Sequence, residues 1–238
     1  MDKRKIFFKG LKDGIPIALG YLAVSFTLGI AAKKAGLTAF TATLMSFTNN
    51  TSAGEFAALT LIGAGSSYFE MALTQFIINI RYMLMSCSLS QKIEKETSFI
   101  KRLMLGWCIT DEVFGISYAY EGKLEPIYTY GAMVLPIVGW STGTFLGITI
   151  GNVLPVSVMS ALGVALYSMF VAIIVPSAKK NKVIAIAVAF SMLFSWLFTM
   201  IPYIKNISSG FKIVIITVVV SAVAALLSPV ESEGQKDE

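Results

Sequence analysis

Residues 38–65 read TAFTATLMSFTNNTSAGEFAALTLIGAG, and a run of uncharged polar residues with one carboxylate lies in the middle of this apolar segment. The stretches on either side, 38–47 and 56–65, are each long enough for about half a bilayer as helix. Backbone can leave the helical hydrogen-bond pattern at membrane depth only where protein or a water-filled cavity satisfies it, and transporters place binding sites at such interruptions. The segment therefore predicts a broken or re-entrant helix, with residues 48–54 non-helical and bordering an internal cavity.

The composition around this segment is that of a polytopic membrane protein, with 55% hydrophobic residues, 14% charged residues and a mean hydropathy of +0.74. Only helices account for such long apolar spans, because membrane β-strands are about ten residues long and alternate in polarity. We predict an all-α transmembrane helix bundle of about seven or eight apolar segments. These are 15–32, the broken segment 38–65, 68–89, 103–120, 127–150, 156–175, 183–201 and 213–227.

Three regions follow from this pattern. Residues 1–14 are basic with apolar residues at helical spacing and predict an amphipathic segment on the cytoplasmic surface. Residues 15–228 form the transmembrane transporter domain, and residues 229–238 form a disordered polar tail. A cleaved signal peptide is the alternative for the start of the chain, but the run 15–32 is longer than a typical signal core and meets Lys33 and Lys34. A multi-pass protein of a bacterial cytoplasmic membrane is expected.

Several function classes are excluded by what the chain lacks. There is no histidine, which removes His-ligated metal sites, Ser-His hydrolases and histidine proton shuttles. Cys87 and Cys108 lie in apolar runs, where packing is expected rather than a disulfide. An intramembrane aspartyl protease needs two membrane aspartates, and the chain offers one embedded Asp. We therefore expect no enzyme activity, no cofactor, no metal and no nucleic-acid partner.

An internal echo suggests two related halves. Pro16-Ile17 and Gly20-Tyr21 are matched by Pro136-Ile137 and Gly139-Trp140. The downstream matches are Phe26–Ile30 with Phe145–Ile148 and Met45-Ser46 with Met159-Ser160. Two related halves with a site between them are a common transporter plan, although Gly, aromatic and Leu echoes also arise by chance in membrane sequences.

Four charged residues lie well inside apolar runs, where ionisable groups mark functional sites by default: Glu55, Arg81, Asp111 and Glu112. Arg81 predicts an ion pair with Asp111 or Glu112, because an isolated guanidinium at this depth costs a few kcal/mol or more. Adjacent helical residues point about 100° apart, so only one of the two carboxylates can face Arg81. The pair serves either structure alone or proton coupling and ammonium binding.

Two further patterns surround these charges. Ser52 and Glu55 fit a capping box, in which Glu55 reaches back to the cap, and a direct role of Glu55 in proton or substrate binding is compatible with it. Polar residues also recur along one face of the 68–89 helix, which is not expected of a helix that faces lipid: Gln75, Asn79, Tyr82 and Ser86. A helix buried in the bundle, whose polar groups bond to neighbours, is the structural alternative, and Arg81 on the same helix weighs against it.

Four segments of the first half carry a family resemblance: GIPIALGY (14–21), SAGEFAAL (52–59), NIRY (79–82) and TDEVF (110–114). In these segments the chain resembles the AzlC family of branched-chain amino-acid permeases. The family often has Gln where this chain has Glu55 and His where it has Tyr82. The resemblance implies a two-component exporter of branched-chain amino acids that works with a small AzlD-type membrane subunit.

A binding hypothesis follows for a zwitterionic aliphatic amino acid. Its carboxylate would meet the N–H groups of Ser52 to Glu55 at a helix N-terminus, and its ammonium would lie near Asp111 or Glu55. Phe47, Phe56, Trp107 and Phe114 are the candidates for the apolar wall. The remaining candidate binding residues are Asn49, Asn50, Thr51, Gly54 and Asn79. A membrane scaffold subunit or an ion channel is the alternative function.

Overall fold

The computed structural model describes residues 2–153, 181–201 and 209–228, together with several isolated positions between these ranges. This part of the chain is helical and contains no β-strand, which confirms the predicted all-helical class. The helices are α1 (Lys3–Asp13), α2 (Ile15–Lys34), α3 (Ala39–Thr48), α4 (Ser52–Gly63), α5 (Tyr68–Lys92), α6 (Phe99–Trp107), α7 (Asp111–Tyr118), α8 (Pro126–Ile150), α9 (Lys182–Met200) and α10 (Ser209–Leu227), with a 3-10 turn, Gly151–Val153, after α8.

Three of the described helices, α2, α8 and α9, are long and apolar enough to cross a membrane. Shorter apolar helices are α3, α4 and the stretch Phe211–Leu227 of α10. Most of the predicted apolar run 156–175, the second member of the Met-Ser echo and the predicted tail 229–238 lie outside the described residues. The number of seven or eight apolar segments and the re-entrant alternative for 38–65 therefore stay predictions.

The prediction of one continuous helix over 103–120 is wrong. The structure divides this run into α6 and α7, with residues 108–110 between them. The division follows from Thr110, whose side chain accepts a hydrogen bond from the Val113 backbone N–H and so caps the start of α7. Residues 2–153 thus contain two interrupted helices, α3–α4 and α6–α7.

The chain divides into two compact units, and the division falls within α5. The first unit comprises 1–65 and 78–166, and the second comprises 66–77 and 167–238. In the second unit α9 and α10 pack against each other, and α9 buries none of its residues. The start of α5 also belongs there, and its Glu70 is a buried charged residue at the edge of a predicted apolar run.

The centre of the first unit is a close, parallel packing of α2 against α8. Contacts advance in the same direction along both helices, from Gly139 beside Ala18 to Gly147 beside Phe26. A Cβ on Gly147 would lie only 2.0 Å from the carbonyl oxygen of Phe26, so no side chain fits there. Small residues of this kind let membrane helices approach backbone to backbone.

The basic segment at the start of the chain is helical, as its spacing predicts, and lies along the beginning of α8. A Cβ on Gly10 would lie 2.1 Å from the Tyr128 carbonyl oxygen, and one on Gly131 would lie 2.2 Å from that of Phe7. Ile6 is buried in a cluster with residues of α5, α6 and α8. The predicted position of α1 on the cytoplasmic surface stays a prediction.

Candidate functional site at two helix breaks

The first break comprises residues 49–51, which is narrower than the predicted 48–54. Thr51 is the N-cap of α4: its hydroxyl oxygen accepts from the Gly54 backbone N–H at 3.2 Å. The predicted capping box is therefore wrong, because Ser52 is already the first helical residue and Glu55 turns away from the cap. The Thr51 hydroxyl also donates to Oδ1 of Asn79 at 2.7 Å, which ties the break to α5.

The second break lies beside the first. The side-chain amide of Asn50 donates to the carbonyl oxygen of Trp107, the last residue of α6, at 3.3 Å. The rings of Phe47 and Trp107 are 5.9 Å apart between centroids. A carbonyl left unpaired at the end of α6 is thus satisfied by an amide from the other break.

Three of the four embedded charges have their side-chain partners at this place, and two of the three form an ion pair. Nη2 of Arg81 lies 2.9 Å from Oδ2 of Asp111, which confirms the predicted ion pair and selects Asp111 as its acid. Glu112 points elsewhere, as adjacent helical residues must, and its Oε2 accepts from the Tyr21 hydroxyl at 2.5 Å. The Glu112 partner is a neutral phenol, so this carboxylate keeps an uncompensated negative charge when ionised.

A small cavity lies where the two breaks, α2, α5 and α8 meet. Its volume is about 10 Å³, which is room for roughly one water molecule. The lining is mostly polar and consists of Tyr21, Asn50, Ser52, Tyr82, Thr110, Asp111, Glu112, Met133 and Trp140. Asn50 of the first break lines this cavity, as predicted, and the space inside is water-sized.

Glu55 lies apart from this cavity. Its side chain is 1% exposed, and its two oxygens accept hydrogen bonds from Ser46 of α3 and from Nε1 of Trp140 of α8, the latter at 2.7 Å. The Ser46 hydroxyl also lies 2.7 Å from the hydroxyl of Thr144. A substrate in the cavity would contact Trp140 but not Glu55.

The predicted binding and ion-pair residues divide between the cavity wall and its surroundings. Asn50, Ser52, Asp111 and Glu112 line the cavity. Outside its lining are Asn49, Thr51, Gly54, Glu55, Phe56, Asn79, Arg81, Trp107 and Phe114. Several of these still hold the wall in place: Thr51 and Asn79 bond to each other, and Arg81 fixes Asp111.

The apolar wall predicted from four aromatic residues is not found at the cavity. Phe56 lines a shallow groove between α2 and α4, Phe114 stacks on Tyr118 at 5.5 Å, and Phe47 pairs with Trp107. The apolar atoms of the cavity wall come instead from Met133 and from aromatic rings.

Five cavity residues were not predicted as site residues: Tyr21, Tyr82, Thr110, Met133 and Trp140. Tyr82 lies on the polar face of α5, and Thr110 precedes two acidic residues as an N-cap does. Tyr21 and Trp140 are the matched aromatic residues of the internal echo. Their rings meet edge to face at 5.1 Å, and each donates to a glutamate, Tyr21 to Glu112 and Trp140 to Glu55.

Metal chemistry has no candidate ligand set in the described part of the chain, where no three His, Cys, Asp or Glu side chains gather. What the arrangement offers is hydrogen bonding and charge at membrane depth. Two helix N-termini, four hydroxyl groups, one amide and two carboxylates converge on a single cavity, and of the carboxylates only Asp111 has a cationic partner among the described residues. These are the groups that a small zwitterion or cation requires when it leaves water.

Comparisons with known proteins show to which protein family the chain is related. The chain is 28% identical over 201 residues to an uncharacterized membrane protein of Archaeoglobus fulgidus, covering 81% of this chain and 88% of that protein. It is 27% identical over 191 residues to the inner membrane protein YgaZ of Escherichia coli, covering 77% of this chain and 78% of that protein. No solved structure matches the chain. The family model described as AzlC protein matches residues 16–154, more than half of the sequence, and the chain belongs to the AzlC family of membrane proteins.

Proposed function

We propose that the protein is a secondary transporter that exports branched-chain or similar aliphatic amino acids across the cell membrane, together with a small AzlD-type membrane subunit. The observation that carries this proposal is the cavity at the two helix breaks, where helix N-termini and an uncompensated carboxylate meet inside a membrane protein of the AzlC family. Discontinuous helices of this kind bind charged substrate groups at the middle of the bilayer.

The charges of the cavity favour Glu112 as the partner of the substrate ammonium. Asp111 is neutralised by Arg81, and Glu55 lies behind Trp140, so the two acids first expected to bind the ammonium are occupied or enclosed. In the described part of the chain no cationic side chain pairs with Glu112. An incoming ammonium group would supply the missing positive charge.

The substrate carboxylate would bind at the start of α4. Ser52 lines the cavity and is the first residue of that helix. Thr51 already engages the N–H groups of Gly54 and Glu55, which leaves the first two backbone N–H groups of α4 for an anion. The proposed carboxylate site is therefore Ser52 and Ala53.

Side-chain preference would come from Met133 and the ring of Trp140. Burial of a leucine-sized side chain contributes about 1.5–3 kcal/mol, which favours leucine over glycine by about ten- to a hundred-fold. A cavity of about 10 Å³ holds no such side chain, so the helices around it must separate before leucine binds.

The test is export of leucine, valine, glycine and glutamate from proteoliposomes that contain the protein with and without the AzlD-type subunit. We expect leucine and valine to be exported in preference to the other two, and only when both subunits are present. Equal transport of all four substrates would reject the proposed pocket. Full activity of the large chain alone would reject the two-component arrangement.

The role of Glu112 is tested by leucine binding to Glu112→Gln. Loss of a charge-assisted hydrogen bond of about 1.5–3 kcal/mol predicts about ten- to a hundred-fold weaker binding. The matched control is Glu125→Gln, since Glu125 precedes α8 without a side-chain capping bond. Unchanged leucine affinity in Glu112→Gln would remove Glu112 from the site.

A further inference from the structure

The second enclosed site in the first unit is the one around Glu55, and the cavity mechanism does not use it. Its members come from four helices: Glu55 from α4, Ser46 from α3, Trp140 and Thr144 from α8, and Ser25 from α2. The side chains of Ser46, Thr144 and Ser25 are 0% exposed, and Glu55 is 1% exposed. Water has no access to this carboxyl group in the observed conformation.

No described cationic side chain contacts Glu55. Its hydrogen-bond partners are the Ser46 hydroxyl and the Trp140 indole N–H. The helix α3 has no titratable residue, and Glu55 is the only one of α4. The titratable residues of α2, α7 and α8 are Tyr21, Lys33, Lys34, Asp111, Glu112, Tyr118, Tyr128 and Tyr130, and none of them bonds to Glu55.

The energetics favour a protonated acid in such surroundings. An ionised carboxylate removed from water without a cation costs far more than a neutral carboxyl group, and buried groups of this kind take up a proton instead. Arg81 is not available to Glu55, because it pairs with Asp111. Burial without a cation therefore favours the protonated form of Glu55 while the site is closed.

The hydroxyl groups accommodate both protonation states without moving any heavy atom. In the protonated state the Glu55 O–H donates to Ser46, Ser46 donates to Thr144 at 2.7 Å, and Thr144 donates to the Ser25 carbonyl oxygen at 3.5 Å. In the ionised state Ser46 donates to the carboxylate, Thr144 donates to Ser46, and the 3.5 Å bond from Thr144 to the Ser25 carbonyl oxygen is given up. Hydroxyl groups permit this because each is one donor and two acceptors.

We propose that Glu55, Ser46 and Thr144 form a proton-binding site, and that its occupancy is coupled to the substrate cavity through Trp140. The indole of Trp140 donates to Glu55 on one side and forms part of the cavity wall on the other. A hydrogen bond to a carboxylate is about twice as strong as one to a neutral acid, so loss of the proton holds Trp140 more firmly. The only bond that breaks is the Glu55 O–H, and its proton passes to water when the site opens.

The proton-binding part of this proposal stands without any transport assumption, while the coupling part rests on the proposed export function. The first test is infrared spectroscopy of the purified full-length protein, which reports the C=O stretch of a protonated carboxyl group. At neutral pH we expect a band that is lost in Glu55→Gln and retained in Glu125→Gln. Retention of every such band in Glu55→Gln would overturn the proton-binding site.

The second variant keeps Glu55 and removes the hydroxyl relay. Thr144→Val preserves side-chain shape but leaves Ser46 with Glu55 as its one remaining side-chain partner, and we expect the Glu55 band to shift in frequency. The matched control is Thr149→Val on the same helix, because the Thr149 hydroxyl bonds only to carbonyl oxygens of its own helix, those of Phe145 and Leu146. Identical spectra for the two variants would overturn the relay.

The coupling is tested by leucine export from proteoliposomes with and without a pH gradient. We expect the gradient to accelerate export by the wild type and to have no effect on Glu55→Gln, which should still exchange leucine for leucine. Gradient-dependent export by Glu55→Gln would overturn the coupling. If the wild type transports no leucine while the infrared band behaves as expected, the export function fails and the proton-binding site stands.

Discussion

Replacement of Gly147 by alanine tests whether the backbone contact between α2 and α8 holds the first unit together. The new Cβ would lie 2.0 Å from the carbonyl oxygen of Phe26 and 2.9 Å from its carbonyl carbon. The shorter distance is at least about 1.5 Å below an ordinary van der Waals separation. Both atoms belong to backbone, so no side chain can rotate away and the two helices must move apart. Overpacking costs about 1–3 kcal/mol, and a backbone clash should reach the upper end of this range.

For a chain of 238 residues, a loss of about 3 kcal/mol lowers Tm by about 6–12 °C. The assay is thermal unfolding of the purified full-length protein in detergent, followed by circular dichroism. The control is Gly106→Ala on α6, where a Cβ meets nothing within 4 Å. Alanine is favoured over glycine in helices by about 1 kcal/mol, so the control should be unchanged or slightly more stable. Equal Tm values for the two variants would refute the close packing of α2 against α8.

Two further predictions concern the contacts that shape the cavity. Asp111→Asn leaves Arg81 without its counter-ion and should destabilise the protein by about 1–3 kcal/mol. The loss is smaller than for a fully buried pair because the side chains are 35% and 20% exposed. Addition of Arg81→Gln should recover part of this loss in a double-mutant cycle, and strictly additive effects would contradict the pair. Thr51→Val removes both the cap of α4 and the bond to Asn79 and should cost about 1–2 kcal/mol. Thr60→Val is its control, since the Thr60 hydroxyl bonds only within α4, and equal unfolding free energies for the two variants would contradict the capping role.

The first helix break could be predicted from sequence because its polar residues are consecutive. A run such as Asn49-Asn50-Thr51 inside an apolar segment has no face that can contact lipid, so a helix must end there. The second break lacks this signal, since Cys108 and Ile109 are apolar. Its one sequence signal is that of an N-cap, Thr110 followed by two acidic residues. Acidic residues inside an apolar run also indicate a functional site, so this signal alone does not predict a helix start.

The partner of Arg81 could be predicted from the sequence, whereas the partners of Glu55 could not. The acidic partner of Arg81 could be predicted because few acidic residues lie inside the apolar runs and a buried guanidinium needs one of them. The surroundings of Glu55 could not, because Ser46 and Trp140 reach it from other helices, the latter 85 positions away in sequence. The spacing of residues along α4 predicts only that Glu55 bonds to the cap of its own helix. It carries no information about contacts with side chains of other helices.

The helices around the cavity are held by two different kinds of contact. The backbones of α2 and α8 touch at Gly29, Gly139, Gly143 and Gly147, whereas α6 and α7 are joined to their surroundings mainly by side-chain contacts. These include the Arg81–Asp111 ion pair, the bond from Asn50 to the Trp107 carbonyl and the bond from Tyr21 to Glu112. Leu105 of α6 and Val113 of α7 are also buried in apolar clusters. Side-chain contacts can rearrange one at a time, whereas two backbones in contact must part together. On the transport function proposed above, we therefore expect α6 and α7 to move when the cavity admits a substrate.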